Sequence, residues 1–359
     1  MSTNQNTNGA FSDSIQVILV GGVPNPIGGI SNFMSRLIRS DVKLFTEIID
    51  PYPSDDKEVL PIAHKILKTR FLGLFFECMR MNGRHVLFNF STWRSLLFFV
   101  FLPKKNNHWA LILYHGKIHF SGWALILRPF VRYALSKFDV VGYVSSEQGD
   151  FYKKYASDRV VKLPLKFYIE CDKSQLNNVK SDLPKVISDW RAEGLRLYVV
   201  SGYPTKIYQH QRVISAIKKV NVNGRNVALA LFLYGKDDDG LMPLIRKDIE
   251  GRDDIYMFWA QSESNFMRVL AVADGYIRMN TIDSFGVAIA DAINLGVPVL
   301  ATNVCPRYSG AICIDPADDN SLLNFLNGID IDKSIDNQMI NHSLSVHEFI
   351  REFINLGAL

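Results

Sequence analysis

The stretch that decides the fold is GYIRMNTIDSFGVAIADAINLGVPVLATN, Gly275–Asn303. GYIRM is a short apolar run that reads as a buried strand ending at Arg278. A loop follows, and VAIADAINL reads as a helix beginning near Gly286. Gly296 stands where a helix C-terminal glycine belongs, and VPVLAT (Val297–Thr302) begins another strand. A strand, a helix and a strand in such close succession form the repeating unit of a parallel sheet with helices on its faces.

The same alternation extends in both directions. Upstream, RLYVVSG (Arg196–Gly202), VALALFLYG (Val227–Gly235) and DIYMFW (Asp254–Trp259) read as strands, and AICIDP (Ala311–Pro316) follows downstream. VISAIKKV and SNFMRVLAVA supply helices between them. An earlier set holds IQVILV (Ile15–Val20), VLFNF (Val86–Phe90), ALILY (Ala110–Tyr114) and VVGYVS (Val140–Ser145), with helices from Ile30 and Ile126. Between the sets, Lys166–Lys185 is polar and aperiodic and reads as a seam. Two doubly wound domains are expected: 1–168, then 169–335. Residues 336–359 carry a tail helix with Val346, Phe349, Ile350, Phe353 and Ile354 at helical spacing. Ligands of such sheets bind beyond the carboxyl ends of the strands, so the cleft between the domains is the expected site.

Composition narrows the function classes. The chain has 359 residues, 48% hydrophobic and 21% charged, which excludes a disordered or low-complexity chain. Its net charge of +4 lacks the dominant basic field of a nucleic-acid binder. The apolar run Leu96–Pro103 is far shorter than the ~20 residues that cross a bilayer. The polar start, MSTNQNTNGAFSDS, has no basic and apolar leader pattern, so a cytoplasmic location is expected. Cys78, Cys171, Cys305 and Cys313 show no paired spacing and read as reduced thiols. His residues are scattered and show no metal-binding pattern.

Four places hold residues suited to chemistry. Gly28 and Gly29 end a Pro- and Gly-rich turn after the first strand and precede a helix, where bare backbone N–H groups suit a phosphate or a sugar hydroxyl. His115 directly follows a buried strand, placed to bond a hydroxyl or move a proton. Lys206, His210 and Arg212 form a basic cluster with Tyr203 and Tyr208 after the strand Arg196–Gly202. Cations there suit a diphosphate. In the deciding stretch, Asp283 precedes a helix and Asp291 lies inside it among Val, Ala, Ile and Leu. A mid-helix Asp on an apolar helix requires a partner, either a ligand hydroxyl or a buried cation. The Phe285–Gly286 backbone adds N–H donors for phosphate.

The block Asp283-Ser-Phe-Gly-(x)4-Asp291-Ala-Ile-x-x-Gly296-x-Pro298-Val299 resembles the Glu-x7-Glu signature of retaining glycosyltransferases of the GT-B fold, glycosyltransferase family 4. Here both acids are Asp, one methylene shorter. The resemblance implies a nucleoside diphosphate sugar in the cleft and no metal. Asp283 and His115 would be catalytic, with Asp283 facing the donor sugar's hydroxyls. Asp291 would take the ribose hydroxyls. Ser284, Phe285, Gly286, Gly28 and Gly29 would also contact the donor. Family members carry Arg and Lys near Tyr203 and Tyr208, so Lys206 and Arg278 are the expected substitutes in the diphosphate clamp, with His210 and Arg307 near the diphosphate and Asn280 among the donor-binding residues. The tail helix would cross back onto the first domain.

The leading expectation is therefore sugar transfer with retention of configuration to a saccharide or a polyprenyl-diphosphate-linked saccharide, in bacterial surface polysaccharide (O-antigen or capsule) synthesis. A nucleotide-sugar epimerase and a non-catalytic nucleotide-sugar-binding subunit remain alternatives. WRSLLFFVFLPKKNNHW, with Lys104 and Lys105 beside an apolar run, suits contact with a membrane surface, and peripheral attachment at the cytoplasmic face is compatible with it.

Overall fold

Strands of three to seven residues, the central ones hydrophobic and buried on both sides, build two parallel sheets. The computed structural model describes residues 16–23, 29–41, 43–52, 65–114, 122–171, 183–224, 226–283, 285–329 and 343–357. In the first half the strands are β1 (Val17–Val20), β2 (Phe45–Asp50), β3 (Lys65–Lys68), β4 (His85–Phe90), β5 (His108–Leu113), β6 (Val140–Tyr143) and β7 (Val161–Pro164). They are ordered β3-β2-β1-β4-β5-β6-β7. The second half holds β8 (Arg196–Gly202), β9 (Val227–Leu233), β10 (Ile255–Trp259), β11 (Gly275–Arg278), β12 (Val299–Thr302) and β13 (Ile312–Ile314), ordered β10-β9-β8-β11-β12-β13.

Helices cover both sheets. The first half has α1 (Gly29–Ser40), α2 (Phe71–Arg80), α3 (Leu96–Val100), α4 (Arg128–Leu135) and α5 (Ser146–Tyr155). The second has α6 (Lys185–Ala192), α7 (His210–Val220), α8 (Met242–Ile249), α9 (Glu263–Ala271), α10 (Val287–Asn294) and α11 (Asp319–Leu326), and α12 (Val346–Gly357) ends the described chain. Each sheet reverses its strand order once, between β1 and β4 and between β8 and β11. A crevice opens outside the carboxyl ends of the strands at such a switch point.

The chain's second crossing brings α12 back to the first sheet. Val346, Phe349, Ile350 and Phe353 are buried in one cluster with Val17, Leu87, Ile112 and Val140. Gly142 on β6 makes room for this contact, since a Cβ there would meet the Phe349 ring at 3.1 Å. The same cluster takes in Phe285, Val287 and Ala290 from the second half, so one core spans α1, α10 and α12. Leu96–Pro103, read in sequence as a surface for a membrane, is mostly core. Leu96, Phe99 and Leu102 are fully buried, Lys104 pairs with Asp139 at 2.6 Å, and Phe101 stays exposed. All four cysteines are free thiols. Among the described residues no helix is long and apolar enough to cross a membrane.

Phe349→Ala or Phe353→Ala should cost about 3–5 kcal/mol, the usual range for emptying a fully packed aromatic site. Urea unfolding checks this. A midpoint unchanged from wild type would show that α12 does not anchor the fold.

Candidate functional site

Both switch points open onto one cleft of about 470 Å³. Gly22 beyond β1 and Asn89 and Ser91 at the end of β4 line it from the first half. Ser201 and Tyr203 at the end of β8 and Arg278 at the end of β11 line it from the second. The first turns of α1 and α10 also face it, through Gly29–Asn32 and Gly286–Ala288. They approach closely: a Cβ at Gly29 would lie 3.8 Å from Val287. Each helix start presents backbone N–H groups without intrahelical partners and the positive end of its dipole. Gly286 enters α10 at φ +78, where a Cβ would also crowd Ile289 at 3.0 Å.

Asp283 lies in the cleft wall within an ionic knot of its own half. Arg278 Nε and Nη2 donate to its two oxygens at 2.5 and 2.8 Å, and Arg307 Nη1 donates at 2.7 Å. Burial alone would raise this carboxyl, but the two guanidinium groups outweigh it and hold it well below the usual carboxylate range. Arg307 is itself fully buried and also donates to the Thr302 carbonyl at 2.9 Å. Two arginines against one aspartate leave an excess of one positive charge. The Arg278 guanidinium also lies 5.4 Å from the Tyr208 ring centre, a cation–π contact.

Asp291 finds its partner across the cleft. Arg36 of α1 donates from Nη1 and Nη2 to both Asp291 oxygens, at 2.7 and 2.8 Å. Tyr168, from the segment joining the halves, donates its hydroxyl to Oδ1 at 2.9 Å. Arg36 Nε reaches Glu263 of α9 at 2.7 Å, and Nη1 reaches the Ile169 carbonyl at 2.9 Å. Of the two partners open from sequence, the structure supplies the buried cation. Burial raises the Glu263 carboxyl above its ordinary value, with Arg36 opposing.

The other expected residues are placed unevenly. Gly29 and Gly286 line the cleft with Arg278, Asp283 and Asp291. Phe285 is buried in the shared core, edge-on to Phe167 and Tyr308. Lys206 is exposed and not part of the cleft wall. His210 is buried beneath the wall, with Nε2 bonded to the Tyr203 carbonyl at 2.9 Å. Asn280 is buried and its carbonyl accepts from Thr302 Oγ1 at 2.6 Å. The local basic cluster of the sequence is thus split between outside and inside by the turn at Gln209, which has φ +55. Gly28, His115 and Ser284 lie outside the described residues.

Sequence reasoning passed over Arg36, Glu263, Tyr168 and Asn89. The available signal for Arg36 was an arginine three residues beyond Phe33 on the apolar face of α1. Asn89 is fully buried; its carbonyl oxygen accepts from Tyr114 at 2.6 Å, and its amide nitrogen has no partner among the described residues.

No family model matches this chain, and no curated protein does. Solved structures do match. Anabaena HepE in complex with UDP-glucose superposes with a TM-score of 0.63 at 14% identity, covering 87% of this chain and 89% of that one. The trehalose-6-phosphate synthase OtsA matches with a TM-score of 0.63 at 9% identity, covering 96% and 95%. A trehalose-phosphate synthase from Burkholderia xenovorans in complex with glucose-6-phosphate matches at 0.61 and 11%, covering 87% and 91%. These likenesses show the fold, which is GT-B: two Rossmann-like halves facing across a cleft, with the last helix returned to the first.

Arg36→Met should destabilise by about 3–5 kcal/mol, because it leaves a buried Asp291 without its counter-ion. Arg36→Met combined with Asp291→Leu should recover the part of that loss due to Asp291 in urea unfolding, while Glu263 still lacks its cation. A double variant as unstable as the single would contradict the pairing.

Stability should also depend on pH through His210. Burial, with Arg278 adding to it, lowers this imidazole from 6.5 to about 4 against the opposing bond to Tyr203. The unfolded chain then binds the extra proton between those values. Stability is complete above pH 6.5 and falls toward pH 4 by about 3 kcal/mol. His210→Gln keeps a donor for the Tyr203 carbonyl and should flatten that slope in unfolding series across this range.

Proposed function

We propose that the chain is a glycosyltransferase that moves a sugar from a nucleoside diphosphate sugar to a hydroxyl of a saccharide, free or carried on a polyprenyl diphosphate. One observation carries the reading: two helix N-termini and Arg278 converge on a single cleft at both switch points. A diphosphate fits this arrangement. Backbone N–H groups of α1 and α10 would bind its oxygens, and the single excess charge of the Arg278–Asp283–Arg307 knot would offset part of its charge. That HepE was solved with UDP-glucose in a like fold supports the same donor class.

In this reading Asp283 acts by holding Arg278 toward the diphosphate as well as facing the sugar. Asp291 makes three bonds to Arg36 and Tyr168. A carboxylate has about four acceptor directions, which leaves room for one ribose hydroxyl. Phe232, Tyr234 and Phe266 line the cleft, with Phe232 and Phe266 edge to face, and offer aromatic contact for a base. Asn89, with its unpartnered amide, would meet the sugar or acceptor from the first half. Lys206 and His210 would act from outside and beneath the cleft, and the role of His115 beside the acceptor rests on the sequence resemblance alone. No side chain among the described cleft residues is placed as a covalent nucleophile. Attack by the acceptor on the face the diphosphate leaves, with retention, is the corresponding mechanism. Surface polysaccharide synthesis at the cytoplasmic membrane face is the setting that suits such an acceptor.

A second reading has its own observation. Both signature acids are already engaged by arginines, which suits a subunit that binds nucleotide-sugar without turning it over. Calorimetric titration of UDP, GDP and their sugars, paired with a transfer assay, separates the two. Binding with transfer supports the enzyme, and binding without it supports the subunit. Arg278→Gln should weaken nucleoside diphosphate binding at least about tenfold, equivalent to about 1.4 kcal/mol. If no nucleotide or nucleotide-sugar binds or raises the melting temperature, both readings fail.

A further inference from the structure

Helix α2 is apolar on opposite sides. Leu74 and Cys78 face the core of the first half, whereas Leu72, Phe76 and Met79 point outward. Leu72 is 70% exposed and Phe76 53%. The outward three are spaced by four and three residues, which sets them on one stripe of the helix. An α-helix that is apolar all round belongs in a core or against lipid.

The stripe is part of a wider face. Phe71 and Phe75 of α2 meet the Phe98 ring of α3 at 6.3 and 6.2 Å. Lys137, just past α4, donates to the carbonyls of Phe99 and Leu102 at 2.7 Å each, tying α4 to α3. These three helices therefore lie side by side on the outer surface of the first sheet. Phe101 at the end of α3 is 78% exposed, Ile126 before α4 is 74%, and Phe130 and Tyr133 on α4 are exposed as well.

Charge on this face has one sign. Residues 66–114 and 122–139 contain ten Lys or Arg and two acids, Glu77 and Asp139, the latter paired with Lys104, whereas the whole chain has 40 cations against 36 acids. Arg80 takes up Glu77. Arg70, Arg84, Arg94 and Arg132 are exposed around the apolar residues. Exposed aliphatic and aromatic side chains ringed by cations match an anionic bilayer surface, which offers acyl chains beneath phosphate.

We propose that the outward face of α2, α3 and α4 docks on an anionic lipid bilayer. The face reaches the cleft: Tyr52, in the cleft wall, meets Phe71 of α2 edge-on at 5.5 Å. Docked this way, the first half presents its cleft rim to the lipid surface. This rests on the proposed sugar transfer only for its consequence, that an acceptor can enter from the membrane; the docking itself involves no donor.

The test is sedimentation of the full chain with vesicles, without nucleotide or saccharide. Vesicles of phosphatidylcholine with phosphatidylglycerol should bind at least about tenfold more protein than phosphatidylcholine alone, and salt should weaken the binding. Leu72→Ser, Phe76→Ser and Ile126→Ser together should lower binding about tenfold at an unchanged melting temperature, since all three are exposed. Arg70→Glu with Arg132→Glu should abolish the preference for the anionic vesicles. Equal binding to both vesicle types overturns the proposal, as does no binding, or undiminished binding by the triple variant. A dimer in sedimentation velocity that the triple variant dissociates, with no vesicle binding, would assign the face to a second copy of the chain instead.

Discussion

The Arg36–Asp291 pair is the constraint around which the two halves are arranged. Both side chains are almost fully buried, and the two residues stand 255 positions apart in the chain, each inside a helix. Neither charge can stay in that environment alone, because desolvation of an unpaired ion costs several kcal/mol. The pair therefore exists only when α1 and α10 meet. Tyr168 and Glu263 extend it to the joining segment and to α9. Hydrophobic contact between Phe33, Val287 and Ala290 brings the same surfaces together without direction. The bidentate geometry supplies the direction and so sets which turns of α1 and α10 face the cleft.

The second ionic knot follows the same rule inside one half. Asp283 is enclosed by Arg278 from its own strand and by Arg307 from the loop after β12. Two charges of one sign and one of the other cannot cancel, so this knot retains a net charge where the first, with two acids around Arg36, has the opposite balance. The cleft thus runs from an acidic side at Asp291 and Glu263 to a basic side at Arg278. A ligand with a hydroxyl-rich part and an anionic part has a defined orientation in such a field. The backbone donors at the two helix starts need no counter-ion, so the proposed anion would require no exposed lysine in the cleft.

Much of this architecture was legible in the sequence where local pattern determines structure. β8 spans the residues its apolar run marked, Arg196–Gly202, and α10 fills the predicted helix up to its penultimate residue. β2, β3 and β7 were missed. KILK and VKLP are short and charged, edge-like segments whose strand character comes from their neighbours, and FTEIID mixes charge into its run. Helix α2 escaped notice because its charged residues, Glu77 and Arg80, come only in its second half and apolar residues stand on both its buried and its exposed sides. The site divides in the same way. Asp291's need for a partner was readable, because an aspartate on an apolar helix is costly. The partner was not, because nothing local links Arg36 to it. Lys206 and His210 looked like one basic cluster, and a single left-handed residue, Gln209, sends one outward and the other inward.

The distribution of cations separates two kinds of work. Inside the cleft each arginine is matched to a buried acid, so its charge is fixed in position and its reach into the cleft is limited by geometry. On the outer face of α2–α4 the cations are exposed, long and nearly free of acids, which suits a diffuse surface of opposite sign and no particular geometry. A net charge of +4 conceals this, because the acids that balance the basic face lie elsewhere along the chain. Rigid pairing at the cleft and a loose cationic surface at its rim set two different recognition problems side by side in one chain. The strand order allows both, since the crossovers set the starts of α1 and α10 at the cleft and leave α2–α4 on the outer surface of the first sheet.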